Sequence, residues 1–225
     1  GCSYTGGVWE DIYYKPAPAS FIGNEHQVWN AGLNGSSNNL SIWLLPDLLQ
    51  SIEPDHVFFQ IIGQRRHTFA FDNHRAIDVL KSAWRSDEHY HYLHEPTMKH
   101  HFNWWNMAGF EDPRKRTTEA TKVNYEYYKR VVLTAMFKDV NLAYLAYAKF
   151  LLKDISHTFV GGNCEENWVE NSMIPKMEKV IEENIVLPYK VIPDIENHFV
   201  DVGWHLSRAG CQEYANRVYL PYLPT

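Results

Sequence analysis

The feature that most constrains the fold is a series of apolar runs of strand length, separated by stretches with helical periodicity. Val57–Ile62 (VFFQII) is rich in β-branched and aromatic residues, which favours a strand buried on both faces. Ile155–Val160 and Ile185–Ile192 are further strand candidates, the second interrupted by Pro188. Strands that alternate with helices are typical of an α/β fold with a parallel sheet, whose ligands lie at the carboxyl ends of the strands.

Helical segments are predicted on either side of these strands. Leu40–Gln50 follows Ser36 and Ser37, either of which can be its N-cap. Apolar residues recur at three-and-four spacing across Asn124–Asp154, which predicts one long amphipathic helix. Ser207 is placed to cap a last helix near the end of the chain. We expect these helices to cover a central parallel sheet in three α/β/α layers.

The organisation of the chain points to one domain over residues 1–225, because no internal repeat or low-complexity linker divides it. The stretch of about 81–130 differs from the rest, since it is crowded with His, Trp, Tyr and charged residues and has poor periodicity. We expect an insertion that covers one edge of the site. Its aromatic residues either stack on a substrate or form the core of the insertion.

Composition narrows the function classes. The formal net charge is -6, and Lys and Arg are scattered apart from the run 114–116, which argues against a nucleic-acid partner. Cys2, Cys164 and Cys211 show no C-x-x-C spacing, so neither a disulfide framework nor a zinc knuckle is indicated. No apolar stretch approaches the ~20 residues that span a bilayer. These features predict a cytoplasmic protein without a membrane span, and leave its oligomeric state open.

The first candidate site segment is Gly1–Gly7 (GCSYTGG). Small residues around Ser3 permit a sharp turn at the end of a strand, where a hydroxyl is presented and a backbone N–H can face an oxyanion. Taken alone, a serine near glycine is more often a plain turn.

The second segment is Asn30–Asn38 (NAGLNGSSN), whose glycines allow backbone N–H groups to point into a pocket. A Gly/Asn-rich turn that leads into the following helix is the simpler interpretation of this segment alone.

The third segment is Asp201–Gly210 (DVGWHLSRAG). His205 at a helix start can act as a general base, while Asp201 fixes its tautomer. The alternative is a structural histidine with a solvated aspartate.

Together the three segments resemble the SGNH (GDSL-like) hydrolase family. Gly1-Cys2-Ser3 is similar to the first block, G-D-S, with Cys2 in the Asp position. Asn30–Gly35 is similar to the second block, N-x-x-x-x-G, and Gly203–Gly210 is similar to the last block, in which Asp-x-x-His precedes a terminal helix. The order and spacing of these blocks cover almost the whole chain.

The resemblance implies a flavodoxin-like fold and a serine esterase that needs no metal or organic cofactor. It assigns the nucleophile to Ser3, the base to His205, the orienting acid to Asp201 and the oxyanion N–H groups to Ser3 and Gly35. The expected partner is a small-molecule or carbohydrate ester, such as an O-acetylated sugar or a lipid ester. Residues beside the blocks are expected to contact it, namely Tyr4, Asn34, Gln64, Arg66 and Trp204.

The sequence departs from the family pattern at two places. The third block, G-x-N-D, is replaced by Gly63-Gln64-Arg65-Arg66, so the usual oxyanion Asn is absent. Arg65 falls at that position and can donate in its place, although an arginine there can equally clamp a carboxylate or lie at the surface. Asp201 lies four residues before His205, where the family has three, which requires a bulged turn at Gly203. The family's nucleophile also follows a central strand, so either an apolar segment upstream of Gly1 is missing or the sheet begins differently.

Two alternatives remain open. His89, His91 and His94 read H-x-H-x-x-H, similar to the H-x-H-x-D-H zinc pattern of metallo-β-lactamase-type hydrolases, with Leu93 in the Asp position. This would make the chain a metal-dependent hydrolase. The departures in the third and last blocks would instead suit a binding protein that kept the SGNH fold and lost turnover.

Overall fold

A computed structural model describes residues 17–33, 37–62, 66–70, 76–94, 97–98, 102–106, 135–161, 173–199 and 206–224. Within these ranges the protein is mixed α/β, with its strands in three small sheets. The strands are β1 (Val28–Asn30), β2 (His56–Ile61), β3 (Arg66–Ala70), β4 (Trp84–Asp87), β5 (Tyr90–Leu93), β6 (Phe102–Asn106) and β7 (Ser156–Gly161).

The described helices are interspersed with these strands along the chain. They are α1 (Asn38–Ile52), α2 (Ala76–Ala83), α3 (Ala135–Leu152), α4 (Ile174–Ile181), α5 (Pro188–Val191) and α6 (Arg208–Tyr214). Short 3₁₀ turns form at Pro18–Phe21, Ile195–His198 and Leu220–Tyr222, and a π turn at Ala215–Tyr219 continues α6.

The parallel sheet is formed by β2 and β7, which pair in register from His56 opposite Ser156 to Ile61 opposite Gly161. The strands predicted at Val57–Ile62 and Ile155–Val160 are therefore confirmed to within one residue. The strand predicted over Ile185–Ile192 is wrong, because only Val186 bridges to β7 and Pro188 begins α5. Proline suits the first turn of a helix, where its missing N–H costs nothing.

A mixed sheet has the order β1-β5-β4, with β1 parallel and β4 antiparallel to β5. β4 and β5 form a hairpin whose turn contains Glu88 at a φ of 50°. This hairpin lies in the stretch interpreted as an insertion, and β5 joins it directly to β1. Its strands were not predicted, because WRSD in β4 has no apolar alternation. β3 and β6 pair antiparallel in a third sheet.

The helix starts agree with the predictions in position. Ser37 is the N-cap residue of α1, but its hydroxyl donates to Asn39 Oδ1. Ser207 caps α6, and its Oγ accepts from the Gly210 N–H at 3.0 Å. α3 confirms the later part of the long helix predicted over 124–154, and residues 124–134 lie outside the described ranges.

The buried side chains form three hydrophobic clusters. The cluster that matters most for the site, here called the site cluster, contains Val28 of β1, Ile62 after β2, Val160 of β7 and Leu206 before α6. A second cluster packs α1, α3 and α4 on the β2–β7 pair, and a third packs α1 and α2 around Leu93. In the described ranges, no helix has the length and apolarity required to cross a membrane.

Candidate functional site

The described structure contains the supports of the predicted site, and most of the predicted site residues lie outside it. Those outside the described residues are Ser3, Tyr4, Asn34, Gly35, Gln64, Arg65, Asp201, Trp204 and His205. Arg66 is the first residue of β3, opposite Asn106 of β6. The described residues define where the chain enters and leaves the segments that carry the others.

Asn30, the first residue of the second block, is buried and holds the end of β1. Its Oδ1 accepts from the Gly32 N–H at 2.9 Å, and its Nδ2 donates to the Tyr90 hydroxyl at 2.6 Å. An Asn side chain that bonds the backbone two residues ahead stabilises a tight turn. Burial raises the pKa of Tyr90 well above its usual value, so this phenol stays neutral. Asn30 therefore shapes the loop that leads to Gly35.

Asn38 links the second block to the third. Its Oδ1 accepts from the Ile62 N–H and its Nδ2 donates to the Ile62 C=O, both at 2.8 Å. The same Nδ2 donates to Asn141 Oδ1 of α3 at 2.9 Å, and both asparagines are buried. One side-chain amide thus satisfies both backbone groups of the residue that precedes Gly63. This fixes Ile62, at the end of β2, against the start of α1.

Backbone contacts join the chain directly before and directly after residues 200–205. Phe199 and Leu206 form an antiparallel bridge, and the Ser207 N–H donates to the His198 C=O at 2.6 Å. A Cβ added at Gly210 would lie 2.8 Å from His198, so a glycine lets α6 approach this chain segment closely. Phe199 and Leu206, which flank the candidate catalytic part of the last block, are therefore adjacent at the start of α6.

Two of these supports meet in the site cluster, since Ile62 precedes the third block and Leu206 follows His205. Leu33, the last described residue before Asn34 and Gly35, belongs instead to the cluster around Leu93. The described residues beside the third and last blocks therefore share one part of the core, and Asn38 connects this part to the start of α1.

The histidines of the metal hypothesis are held by other contacts. His91 lies in β5, with Nδ1 at 2.7 Å from Ser86 Oγ, Nε2 at 3.0 Å from Gln27 Oε1, and its ring stacked on Trp29. His94 Nδ1 lies 2.9 Å from Thr97 Oγ1. Among the described residues, no group of three or more His, Cys, Asp or Glu side chains is arranged to hold a metal ion. His91 is thus a cross-strand contact, and this part of the chain gives the metal alternative no support.

A serine–histidine pair that the sequence analysis missed lies at the amino end of the β2–β7 pair. His56 Nδ1 is 2.8 Å from Ser156 Oγ, and its Nε2 is 3.2 Å from Thr158 Oγ1. Burial and the nearby His157 lower the pKa of His56. The sequence did contain a signal for this pair. His56 directly precedes the predicted strand Val57–Ile62, and Ser156 is the second residue of the predicted strand Ile155–Val160. Parallel register then makes them neighbours.

A charged group lies beside this pair. Glu183 Oε1 contacts Lys149 and lies 3.1 Å from His157 Nε2, and the His157 Nδ1 lies 2.7 Å from the Ile155 C=O. These contacts link α3, β7 and the turn after α4. Their arrangement is that of a structural ion pair.

Cys211 on α6 is a buried thiol within the site cluster. Burial raises its pKa to about 12, which makes it a poor nucleophile. Cys2 and Cys164 lie outside the described residues.

No protein-family model matches this sequence, and no curated protein or solved structure matches it significantly.

Proposed function

We propose that this chain is a serine ester hydrolase of the SGNH type, built on a three-layer α/β/α fold. Ser3 is the nucleophile, His205 the general base and Asp201 the acid that orients it. The N–H groups of Ser3 and Gly35, with the Arg65 guanidinium, stabilise the oxyanion. The observation that carries the proposal is the Asn38 amide, which bonds Ile62 before Arg65 to the start of α1 after Gly35. Leu206, directly after His205, packs in the same cluster as Ile62.

The argument depends on short connections. Gly35 is two residues from the N-cap Ser37, and Arg65 is three residues from Ile62. Asn38 joins these two points through its hydrogen bonds to Ile62. Each residue extends a chain by at most about 3.6 Å, so the Cα atom of Gly35 lies within about 7 Å of that of Ser37, and the Cα atom of Arg65 within about 11 Å of that of Ile62. His205 is confined in the same way by the bridge between Phe199 and Leu206.

Ser3 is less constrained, since 14 residues separate it from Ala17, which belongs to the site cluster. Fully extended, that segment spans about 46 to 50 Å, enough to bring Ser3 to the same loops.

In the proposed reaction, the Ser3 hydroxyl attacks the carbonyl carbon of an ester while His205 accepts its proton. The tetrahedral oxyanion receives hydrogen bonds from the three donors. His205 then protonates the leaving alcohol, which yields an acyl-enzyme. Water attacks the acyl-enzyme with His205 again as base, and the acid and free Ser3 are released. The ester can be an O-acetyl group on a carbohydrate or a lipid ester.

The test is hydrolysis of p-nitrophenyl acetate by matched serine variants. We expect Ser3→Ala to lower kcat by about 10³-fold or more, because removal of a nucleophile leaves only binding and oxyanion stabilisation. Ser156→Ala is the matched control, since Ser156 also contacts a histidine, and it should retain the parent rate. Equal rates in the parent and Ser3→Ala would contradict the proposal.

A further inference from the structure

The outer face of α3 is apolar where a helix at a protein surface is usually polar. The face that packs on the core contains buried residues, namely Leu145, Ala148 and Leu152. The exposed residues of α3 that follow Asp139 are all uncharged, namely Ala143, Ala146, Tyr147 and Phe150. A helix that is apolar on opposite faces is normally buried, because a surface helix carries charged and polar residues on its solvent side. The outer face of α3 therefore has the composition of an interface.

Two aromatic side chains dominate this face. Tyr147 is 47% exposed and Phe150 is 60% exposed. Their rings stack with 6.4 Å between the centroids, and Lys153 Nζ lies 5.1 Å from the centroid of the Phe150 ring. The rings are thus held in place before any partner binds, which lowers the entropy cost of association.

The neighbouring helix adds a third aromatic side chain on the same side of the molecule. α1 and α3 pack in one cluster on the β2–β7 pair, so their exposed residues point away from this pair. Trp43 of α1 is 42% exposed. Single exposed apolar residues are normal on a protein surface, whereas a concentration of them marks an interaction site.

The exposed residues of α3 recur at the spacing of a seam between paired helices. The positions Asp139, Ala143, Ala146, Phe150 and Lys153 differ successively by four, three, four and three, and Lys153 directly follows the helix. This alternation keeps side chains on the strip along which two helices pack. At 1.5 Å per residue the seam is about 20 Å long.

The order of the side chains makes the seam complementary to a second copy of itself. Its small residues, Ala143 and Ala146, lie in the first half, and its large residues, Tyr147 and Phe150, lie in the second half. In an antiparallel pair with twofold symmetry, Phe150 of one copy lies opposite Ala143 of the other. Tyr147 then lies opposite Ala146, so each ring packs over a methyl group. A parallel pair would place ring against ring and leave a gap between the alanines.

The charges at the ends of the seam favour the same arrangement. Antiparallel pairing places Asp139 of one copy opposite Lys153 of the other, whereas parallel pairing places Asp139 opposite itself. Asp154 Oδ2 lies 3.9 Å from Lys153 Nζ, so this end of the seam carries both signs. Exposed ion pairs contribute little to affinity, and here they select the orientation of the two helices.

We propose that this chain forms a symmetric dimer in which α3 packs antiparallel against α3 of a second copy, with Trp43 of α1 adding to the contact. One helix pair with a flanking aromatic side chain buries less than the about 1,200–2,000 Å² of a standard interface. We therefore expect a dissociation constant in the micromolar range. The dimer does not depend on the proposed function, since none of the proposed site residues belongs to α3.

The test is sedimentation velocity of the 225-residue chain at about 1 to 100 μM, where the mean mass should rise from one chain towards two. Phe150→Lys should raise the dissociation constant by about 30-fold or more, because truncated or charged interface hot spots cost this much. Leu220→Lys is the matched control, since Leu220 is a 38% exposed leucine on the turn that follows α6. This control should keep the parent dissociation constant.

Ala146→Trp separates a packed helix pair from non-specific adhesion. A large ring at a position that requires a small residue should raise the dissociation constant by about tenfold or more. A surface that associates without a fixed register would instead associate more strongly. Both substituted positions of α3 are exposed, so the far-UV circular dichroism spectrum of each variant should match that of the parent.

Three results would overturn the proposal. The first is a parent chain that stays monomeric at about 100 μM. The second is an unchanged dissociation constant in Phe150→Lys, which would place the contact on another surface. The third is tighter association of Ala146→Trp than of the parent.

Discussion

Polar side chains lie at both ends of the β2–β7 pair, and their contacts differ between the two ends. At the carboxyl end, the Asn38 amide bonds the backbone of Ile62 and thereby shapes a loop. At the amino end, His56 of β2 lies between the hydroxyls of Ser156 and Thr158, which both belong to β7. A serine beside a histidine is thus not in itself a catalytic site. Acyl transfer also needs N–H donors from loops and an acid on the second ring nitrogen.

The largest expected effect separates the two histidines. His205→Ala should lower kcat for p-nitrophenyl acetate by about 10³-fold or more, because the nucleophile loses its base. His56→Ala should change kcat by less than about threefold, since both of its ring nitrogens contact hydroxyls at the amino end. Steady-state kinetics of both variants would measure this difference. A larger decrease in kcat for His56→Ala than for His205→Ala would contradict the assignment of the base.

The two arginines of the third block should differ as well. Arg65→Ala should lower kcat by about 10²–10³-fold, the usual cost of removing one oxyanion donor. Arg66→Ala should change kcat little, because Arg66, the first residue of β3, is expected to contact the substrate and not the oxyanion. If both variants hydrolyse the ester at the parent rate, the oxyanion hole consists of Ser3 and Gly35 alone.

Removal of the Asn38 amide should destabilise the fold and not only the loop. Asn38→Ala removes the side-chain amide that bonds the N–H and C=O of Ile62 and the Oδ1 of Asn141. A buried polar group that is left unsatisfied costs about 1–3 kcal/mol. We expect the free energy of unfolding to fall by about 3 kcal/mol in urea denaturation. Ser51→Ala, an exposed position on the same helix, is the control and should change it by less than about 0.5 kcal/mol. Equal stability of the two variants would show that the clamp is dispensable.

The smallest effect concerns pH at the amino end. The pKa of His56 lies below the ordinary value of 6.5 in the folded protein, because of burial and His157. The unfolded chain therefore binds protons more readily. The stabilising contribution of neutral His56 is fully present above pH 6.5 and is lost as the pH falls below it. In His56→Gln, the decrease in unfolding free energy between about pH 7.5 and about pH 5.5 should be smaller than in the parent. An unchanged decrease would show that other groups cause it.

Several strands and helix starts could be predicted from the sequence, because the patterns that indicate them are local. The apolar run Val57–Ile62 and the cap Ser207 depend on nearby residues alone, and both predictions are confirmed. The β4–β5 hairpin was missed because its strands are short and polar, and tertiary pairing with β1 stabilises them. The predicted single central sheet is not confirmed, since the described strands form separate small sheets.

The residue types of the candidate site are a prediction from the sequence, and the contacts beside the candidate site could not be predicted. Ser3, Gly35 and His205 follow from the order of the blocks, and their mutual positions stay a prediction. The role of Asn38 could not be read from the sequence, because an asparagine in a Gly/Asn-rich segment is typical of a turn. Its partners Ile62 and Asn141 lie 24 and 103 residues away, and only the packed fold brings them to it.

The most direct test of the proposed site is the position of a covalent adduct with a fluorophosphonate probe, mapped by mass spectrometry of the digested protein. Such a probe reacts with an activated serine, not with a serine that only contacts a histidine. We expect one adduct, on the peptide that contains Ser3, and no adduct in Ser3→Ala. An adduct on Ser156, or no adduct on the parent protein under conditions that label a known serine esterase, would contradict the account.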